Sequence, residues 1–142
     1  MVSSRNHSTY DTHYHIVFPV KYRKALLDEA VSRAIVGIAA DISVRYDIDF
    51  EQIGADRDHL HILCSFAPKY AGSDVVRIFK SITAKQLFAQ FPQLRKELWG
   101  GEFWSDGFYL ATVSARGDWN TVKHYVAAQG KTNTPTQLRL FS

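Results

Sequence analysis

The stretch Asp58–Cys64, DHLHILC, alternates polar and apolar side chains and carries two histidines, His59 and His61, two positions apart. Successive strand residues point to opposite faces. Both imidazoles therefore share one face, and Leu60, Ile62 and Cys64 share the other. Two imidazoles side by side can hold a metal, share a proton, or satisfy each other in a wet cleft. The elements on either side of this strand decide the fold.

Upstream, HYHIVFPVKY (His13–Tyr22) alternates and is rich in β-branched and aromatic residues, which reads as a strand limited at its far end by Pro19. LLDEAVSRAIVGIAADISVRY (Leu26–Tyr46) follows. Leu27, Val31, Ala34, Ile35, Ile38 and Ile42 have helical spacing, so this segment is an amphipathic helix. DIDFEQIGAD (Asp47–Asp56) alternates Ile48, Phe50 and, less regularly, Ile53, and ends near Gly54. After a short turn the histidine strand begins.

AGSDVVRIFKSITAKQLFAQF (Ala71–Phe91) is a second helix, with Ser73 as cap and Asp74 favourable in its first turn. Val75, Val76, Phe79, Ile82 and Phe88 form its packing face, and Arg77, Lys80, Ser81 and Lys85 its other side. GEFWSDGFYLATV (Gly101–Val113) is strand material around a turn at Ser105–Gly107. DWNTVKHYVAAQG (Asp118–Gly130) reads as a short last helix, with Asp118 as N-cap candidate and Gly130 as its stop. The tail from Lys131 onward is polar, carries Pro135, and reads as extended or loose.

The order strand–helix–strand–strand–helix–strand predicts an α/β (α+β) ferredoxin-like split βαβ sandwich with an antiparallel central sheet. Its first and third strands are central neighbours, so the His59/His61 strand lies beside the strand carrying His13 and His15. The added C-terminal helix departs from the bare topology. With 142 residues, no repeat and no internal linker, the whole chain, 1–142, reads as one domain, with residues 130–142 its loose tail. One cysteine precludes an internal disulfide and fits a reducing compartment. No apolar run suits a membrane span or a signal core, so no membrane partner and a cytoplasmic location are expected. A formal charge of +3 permits nucleic-acid binding without specifying it.

Spacing alone does not rank His59/His61 above His13/His15. Tyr125 and Gln129 are four residues apart and share a helix face with Val122. A phenol can attack phosphorus when a cation polarises the phosphate, and a glutamine carbonyl can ligate a hard cation. The same pair also suits a packing tyrosine and a surface glutamine.

Taken together and in order, the motifs resemble the single-tyrosine HUH transposases, the TnpA family of insertion sequences that move as single-stranded DNA. DHLHIL is similar to that family's histidine–hydrophobic–histidine motif. VKYRKALL (Val20–Leu27) is similar to its Lys-Tyr-Arg segment. LWGGEFWSDGFYLATV (Leu98–Val113) resembles its tryptophan-rich segment, and VKHYVAAQG its nucleophile helix. The likeness spans Tyr10 to Gly130. Phe18-Pro19 departs from it, because the family often has an aromatic followed by a small residue there.

The resemblance implies that His59, His61 and Gln129 ligate a divalent metal, Mg²⁺ or Mn²⁺, and that Tyr125 is the nucleophile forming a 5′-phosphotyrosine. It leaves His15 beside the site as support. It also implies a homodimer in which the tyrosine helix is shared between subunits, with Gly117 as hinge. The substrate it implies is single-stranded DNA with hairpin ends. Lys21, Arg23, Lys24, Arg77, Lys80, Ser81 and Lys85 are the expected DNA contacts. Trp99, Phe103, Trp104 and Phe108 are aromatic candidates for stacking on unpaired bases, with Phe103 and Phe108 better suited to core or interface. Three other readings stay open. One is a domesticated relative that processes chromosomal palindromic repeats. Another is a non-catalytic ferredoxin-like nucleic-acid-binding module. The last is a metal-dependent phosphoesterase that uses water in place of Tyr125.

Overall fold

The structure is a computed structural model that describes residues 3–5, 8–10, 12–113 and 137–138. Two short strands, β1 (Ser3–Arg5) and β2 (Ser8–Tyr10), pair with each other. The main sheet begins with β3 (His13–Pro19), followed by α1 (Glu29–Tyr46), β4 (Ile48–Ala55), β5 (His59–Phe66), α2 (Gly72–Gln90), the short α3 (Leu94–Glu97) and β6 (Tyr109–Val113). A two-residue strand, β7 (Gln137–Leu138), lies on the outer edge of β4. The sheet order is β6-β3-β5-β4-β7, and every pairing is antiparallel. Without β7 this is the ferredoxin-like order, with the first and third strands of the motif at the centre. The predicted last helix, with Gly117, Tyr125 and Gln129, lies outside the described residues.

Alternation divides the sheet into two faces. Ile16, Phe18, Leu60, Ile62 and Cys64 are buried on the face covered by α1 and α2. The other face carries His13, His15, His59, His61 and Leu63. Four buried polar side chains, His13, Gln52, His61 and Ser65, belong to this second face. The irregular alternation of the Ile48–Ala55 strand has a physical cause. A bulge between Phe50 and Gln52 inserts Glu51 opposite no partner, and this returns Ile53 to the same face as Ile48 and Phe50. The displaced Glu51 carboxylate meets His13 Nδ1 at 2.7 Å.

Both helices have identifiable boundaries. The Asp28 carboxylate accepts from the Val31 N–H at 2.9 Å, so α1 starts at Glu29, later than the apolar periodicity suggests. Asp47 adopts the left-handed conformation (φ 58°) that ends α1 and turns the chain into β4. At α2 the cap is Ala71, and Ser73 lies within the first turn. Asp74 supplies the contact instead, its carboxylate accepting from the Ala71 N–H at 2.8 Å.

Phe79 of α2 is the hub of the core. Its ring lies 4.8 Å from Phe18, 5.8 Å from Phe50 and 6.2 Å from Trp104, centroid to centroid. Trp104 buries its ring, and its indole N–H donates to Thr83 Oγ1 at 2.8 Å. The Thr83 hydroxyl in turn donates to the Phe79 carbonyl at 2.6 Å. A large indole can be buried here because its one donor is satisfied. Trp104 also bridges Val20, extending the sheet edge past the end of β3.

Phe79→Ala removes this hub and should cost about 3–5 kcal/mol, read as a lowered urea midpoint at unchanged slope. Cys64 is fully buried, and burial raises its thiol pKa far above the ordinary value. The native thiol should resist alkylation at neutral pH and react only as fast as the chain opens, so modification within seconds of reagent addition would contradict this packing.

Candidate metal centre

The site is built at the entry to β5. Two residues alternate outward from that strand, His59 half-buried and His61 buried, and their rings lie 4.9 Å apart. The turn before the strand, Asp56-Arg57-Asp58, adds carboxylates. One donor atom each from Asp56, His59 and His61 falls within a span of 4.8 Å, close enough for one cation. His59 Nε2 is 3.1 Å from an Asp56 oxygen. No ion is present.

The outer nitrogens of both histidines are engaged. His59 Nδ1 is 2.7 Å from Asp58 Oδ1. A carboxylate can only accept, so Nδ1 carries a proton toward Asp58, and Nε2 meets Asp56 either through a second proton or through a cation that takes that proton's place. His61 Nδ1 is 3.1 Å from His15 Nε2, with the two rings stacked at 5.3 Å. Metal-binding histidines characteristically anchor their second nitrogen in this way. Burial, reinforced by the neighbouring His59 and His15, lowers the His61 pKa to about 3. His61 is therefore neutral across the physiological range and needs no deprotonation to act as a ligand. Burial also lowers the His15 pKa. The donor set of two imidazoles and a carboxylate suits a divalent cation, and on this ground the residues present fit one.

Strand adjacency puts His15 beside the site: the register pairs His15 with Leu63 and His61 with Val17, and the two imidazoles meet diagonally across the strands. His13, two residues earlier, is buried against Glu51 and does not join the cluster. Gln129, Tyr125 and Gly117 lie outside the described residues. The sequence reading missed Asp56 and Asp58, which look like ordinary turn residues. Their signal is position, immediately before the first histidine, where a tight turn folds both carboxylates back onto it.

The seven expected DNA contacts separate into two groups. Lys21 pairs with Glu102 at 2.8 Å, Arg23 with Asp58 at 3.1 Å and Lys24 with Glu97 at 3.8 Å. These three belong to the segment beside the turn. Arg77, Lys80, Ser81 and Lys85 lie on α2, across the sheet from the histidines. Lys80 donates to the Ser105 and Asp106 carbonyls at 2.7 and 3.1 Å, and its ammonium sits 5.4 Å over the Phe108 ring. It braces the turn before β6, and desolvation lowers its pKa. Arg77, Ser81 and Lys85 are exposed, Arg77 within 3.2 Å of Asp74.

Two concavities flank these groups. One of about 490 Å³ lies between α2 and residues 101–108. The other, about 570 Å³, is lined by Ala25, Asp56, Arg57, Asp58 and His59. Only the second opens onto the donor cluster, so it is the approach to the metal centre. Arg57 is exposed on its wall.

Residues 8–129 match the family model described as "Transposase IS200 like". The chain is 33% identical over 105 residues to the ISDra2 transposase TnpA of Deinococcus radiodurans, covering 74% of this chain and 75% of that one. It is 29% identical over 107 residues to the transposase for insertion sequence element IS200 of Salmonella typhimurium, covering 75% and 70%. Among solved structures, a candidate transposase from Deinococcus radiodurans superposes with a TM-score of 0.69 at 26% identity, over 91% of this chain and 98% of that one. A REP-associated tyrosine transposase bound to a REP hairpin shares the fold, with a TM-score of 0.59 at 12% identity over 90% and 72%. The family match over most of the chain, the shared ferredoxin-like fold and the paired histidines on its central strand place this protein in the IS200-like family of single-tyrosine HUH transposases.

Proposed function

We propose that this protein is a transposase that cleaves and rejoins single-stranded DNA at insertion-sequence ends through a covalent tyrosine intermediate. The observation that carries the reading is the Asp56–His59–His61 donor cluster on the central strand of an IS200-like chain. His59 and His61 would hold the cation, with Asp56 adding a carboxylate and Gln129 a neutral oxygen. Mg²⁺ or Mn²⁺ bound there would withdraw charge from the non-bridging oxygens of the scissile phosphate.

Tyr125 supplies the attacking oxygen. The phenol gives up its proton as its oxygen bonds to phosphorus and the bond to the 3′ oxygen breaks, and the departing 3′ oxygen takes up a proton, leaving a 5′-phosphotyrosine and a free 3′-hydroxyl. A 3′-hydroxyl from another strand end reverses the step and joins DNA. The phosphodiester energy is kept in the covalent link, so no nucleotide hydrolysis is required. Docking of the tyrosine helix into a second subunit, with Gly117 as hinge, would make the working unit a homodimer.

Of the expected aromatics, Trp99 is the most exposed, at 75%, with Tyr22 52% exposed at 5.9 Å from it, and this supports Trp99 as a stacking partner for an unpaired base. Phe103 and Trp104 are committed to the core. Arg77, Ser81 and Lys85 face away from the histidines and suit contact with a hairpin stem at a distance from the chemistry. Hairpin recognition is the reading favoured for this substrate, because the fold-mate bound to a REP hairpin uses the same architecture. The same chemistry on chromosomal repeats would mark a domesticated relative.

Incubation with single-stranded DNA from the flanks of the gene and Mn²⁺ should give a denaturation-resistant protein–DNA adduct. Tyr125→Phe and His61→Ala should each reduce it to background, and EDTA should do the same. Cleavage that survives Tyr125→Phe would establish a water-using phosphoesterase instead.

A further inference from the structure

We infer that Arg23 is a positioning residue for the metal centre, acting through Asp58 on His59, and not a phosphate contact. The inference rests on His59 being a metal ligand, as proposed above. Arg23 sends Nε and Nη2 to Asp58 Oδ2, at 3.2 and 3.1 Å. The other oxygen of the same carboxylate, Oδ1, takes His59 Nδ1 at 2.7 Å. Each oxygen of Asp58 thus has one task. The guanidinium fixes the carboxylate plane, the carboxylate fixes the tautomer and tilt of the imidazole, and Nε2 is left facing Asp56 and His61.

The backbone is arranged for this contact at a cost. Tyr22 and Arg23 both adopt left-handed conformations, with φ of 61° and 53°. For a bulky residue such as tyrosine this is strained, and such strain persists only where the surroundings over-determine it. They do so here. The Arg23 N–H donates to the Val20 carbonyl and the Lys21 N–H to that of Phe103, both at 2.8 Å. Two further bonds tie the segment to the turn, from the Val20 N–H to the Asp58 carbonyl at 2.8 Å and from the Leu27 N–H to the Arg57 carbonyl at 2.9 Å. The strained reversal falls between these two anchors and brings the Arg23 side chain over Asp58.

The alternative roles fit less well. Arg23 is well exposed and Asp58 partly so, and an ion pair at such a position contributes little to stability. The guanidinium's side-on Nε/Nη2 edge is committed to the carboxylate, so Arg23 could meet a phosphate only through its remaining end-on donors while holding Asp58. What the pair does control is the direction of His59 Nε2. The Arg23 charge also offsets one of the two carboxylates in the turn, which lets a phosphate approach a centre that would otherwise repel it.

Mn²⁺ affinity, measured by titration calorimetry and by the free-ion EPR signal, tests this directly. Arg23→Ala should weaken Mn²⁺ binding roughly tenfold and Asp58→Ala by roughly 10–100-fold. The double variant should be no weaker than Asp58→Ala, because Arg23 acts only through Asp58. Arg23→Lys should restore part of the loss. In EDTA, the affinity of Arg23→Ala for a single-stranded oligonucleotide from the gene flank should equal wild type, and its circular dichroism melt should show a folded chain. If Arg23→Ala is unfolded, Arg23→Lys and Asp58→Asn carry the comparison, and unchanged Mn²⁺ affinity in both would overturn the inference. Normal Mn²⁺ affinity with weakened DNA binding in EDTA would make Arg23 a phosphate contact. Normal Mn²⁺ affinity in His61→Ala would remove the metal centre itself, a separate failure from that of Arg23.

Discussion

The antiparallel pairing of β3 with β5 sets Ile16 against Ile62 and Phe18 against Leu60 on one face, and so leaves His15 and His61 together on the other. Strand side chains have a period of two, so a slip of one residue would exchange the faces. It would drive imidazoles into an aromatic core and expose isoleucines to the cleft. The burial of Phe18, Phe79 and Trp104 therefore holds the histidines in register, although none of these rings touches the site. Core packing and site geometry are two consequences of one pairing.

The turn that feeds β5 adds what the strand cannot. A strand presents two imidazoles about 5 Å apart (4.9 Å between ring centroids here), but not the hydrogen bonds that orient them. Asp58 orients His59 from the turn, and His15 orients His61 from the neighbouring strand. Each ligand thus has a partner from a different element. The neutral form of His61 follows from its burial. The centre has one carboxylate aimed at the donor cluster and a second neutralised by Arg23, a balance suited to binding a cation and then an anion.

Much of this was legible in the sequence because it rests on periodicity. The alternation of DHLHILC, the helical spacing from Val31 to Ile42, and the element order led to the sheet in which β3 and β5 are neighbours. Period breaks were harder to read. Ile53 fell out of phase because Glu51 bulges, and nothing local marks a bulge whose purpose is a partner 38 residues away, His13. Ser73 looked like a cap, yet the backbone entered the helix at Ala71 and used Asp74. The charged residues were least legible. Lys21, Arg23, Lys24 and Lys80 each meet an acid or a carbonyl distant in sequence, which only the fold reveals. Asp56 and Asp58 were hidden because an acidic turn is common, and only the fold shows both carboxylates reaching the same imidazole.

The central claim is that the face of β5 holds a divalent cation, and the most direct measurement is the anomalous difference map of crystals grown with Mn²⁺. The account predicts one dominant peak within bonding distance of Nε2 of both His59 and His61, on the Asp56 side, absent from His61→Ala crystals. A protein that binds Mn²⁺ only at surface carboxylates, with no peak between the two imidazoles, would contradict it.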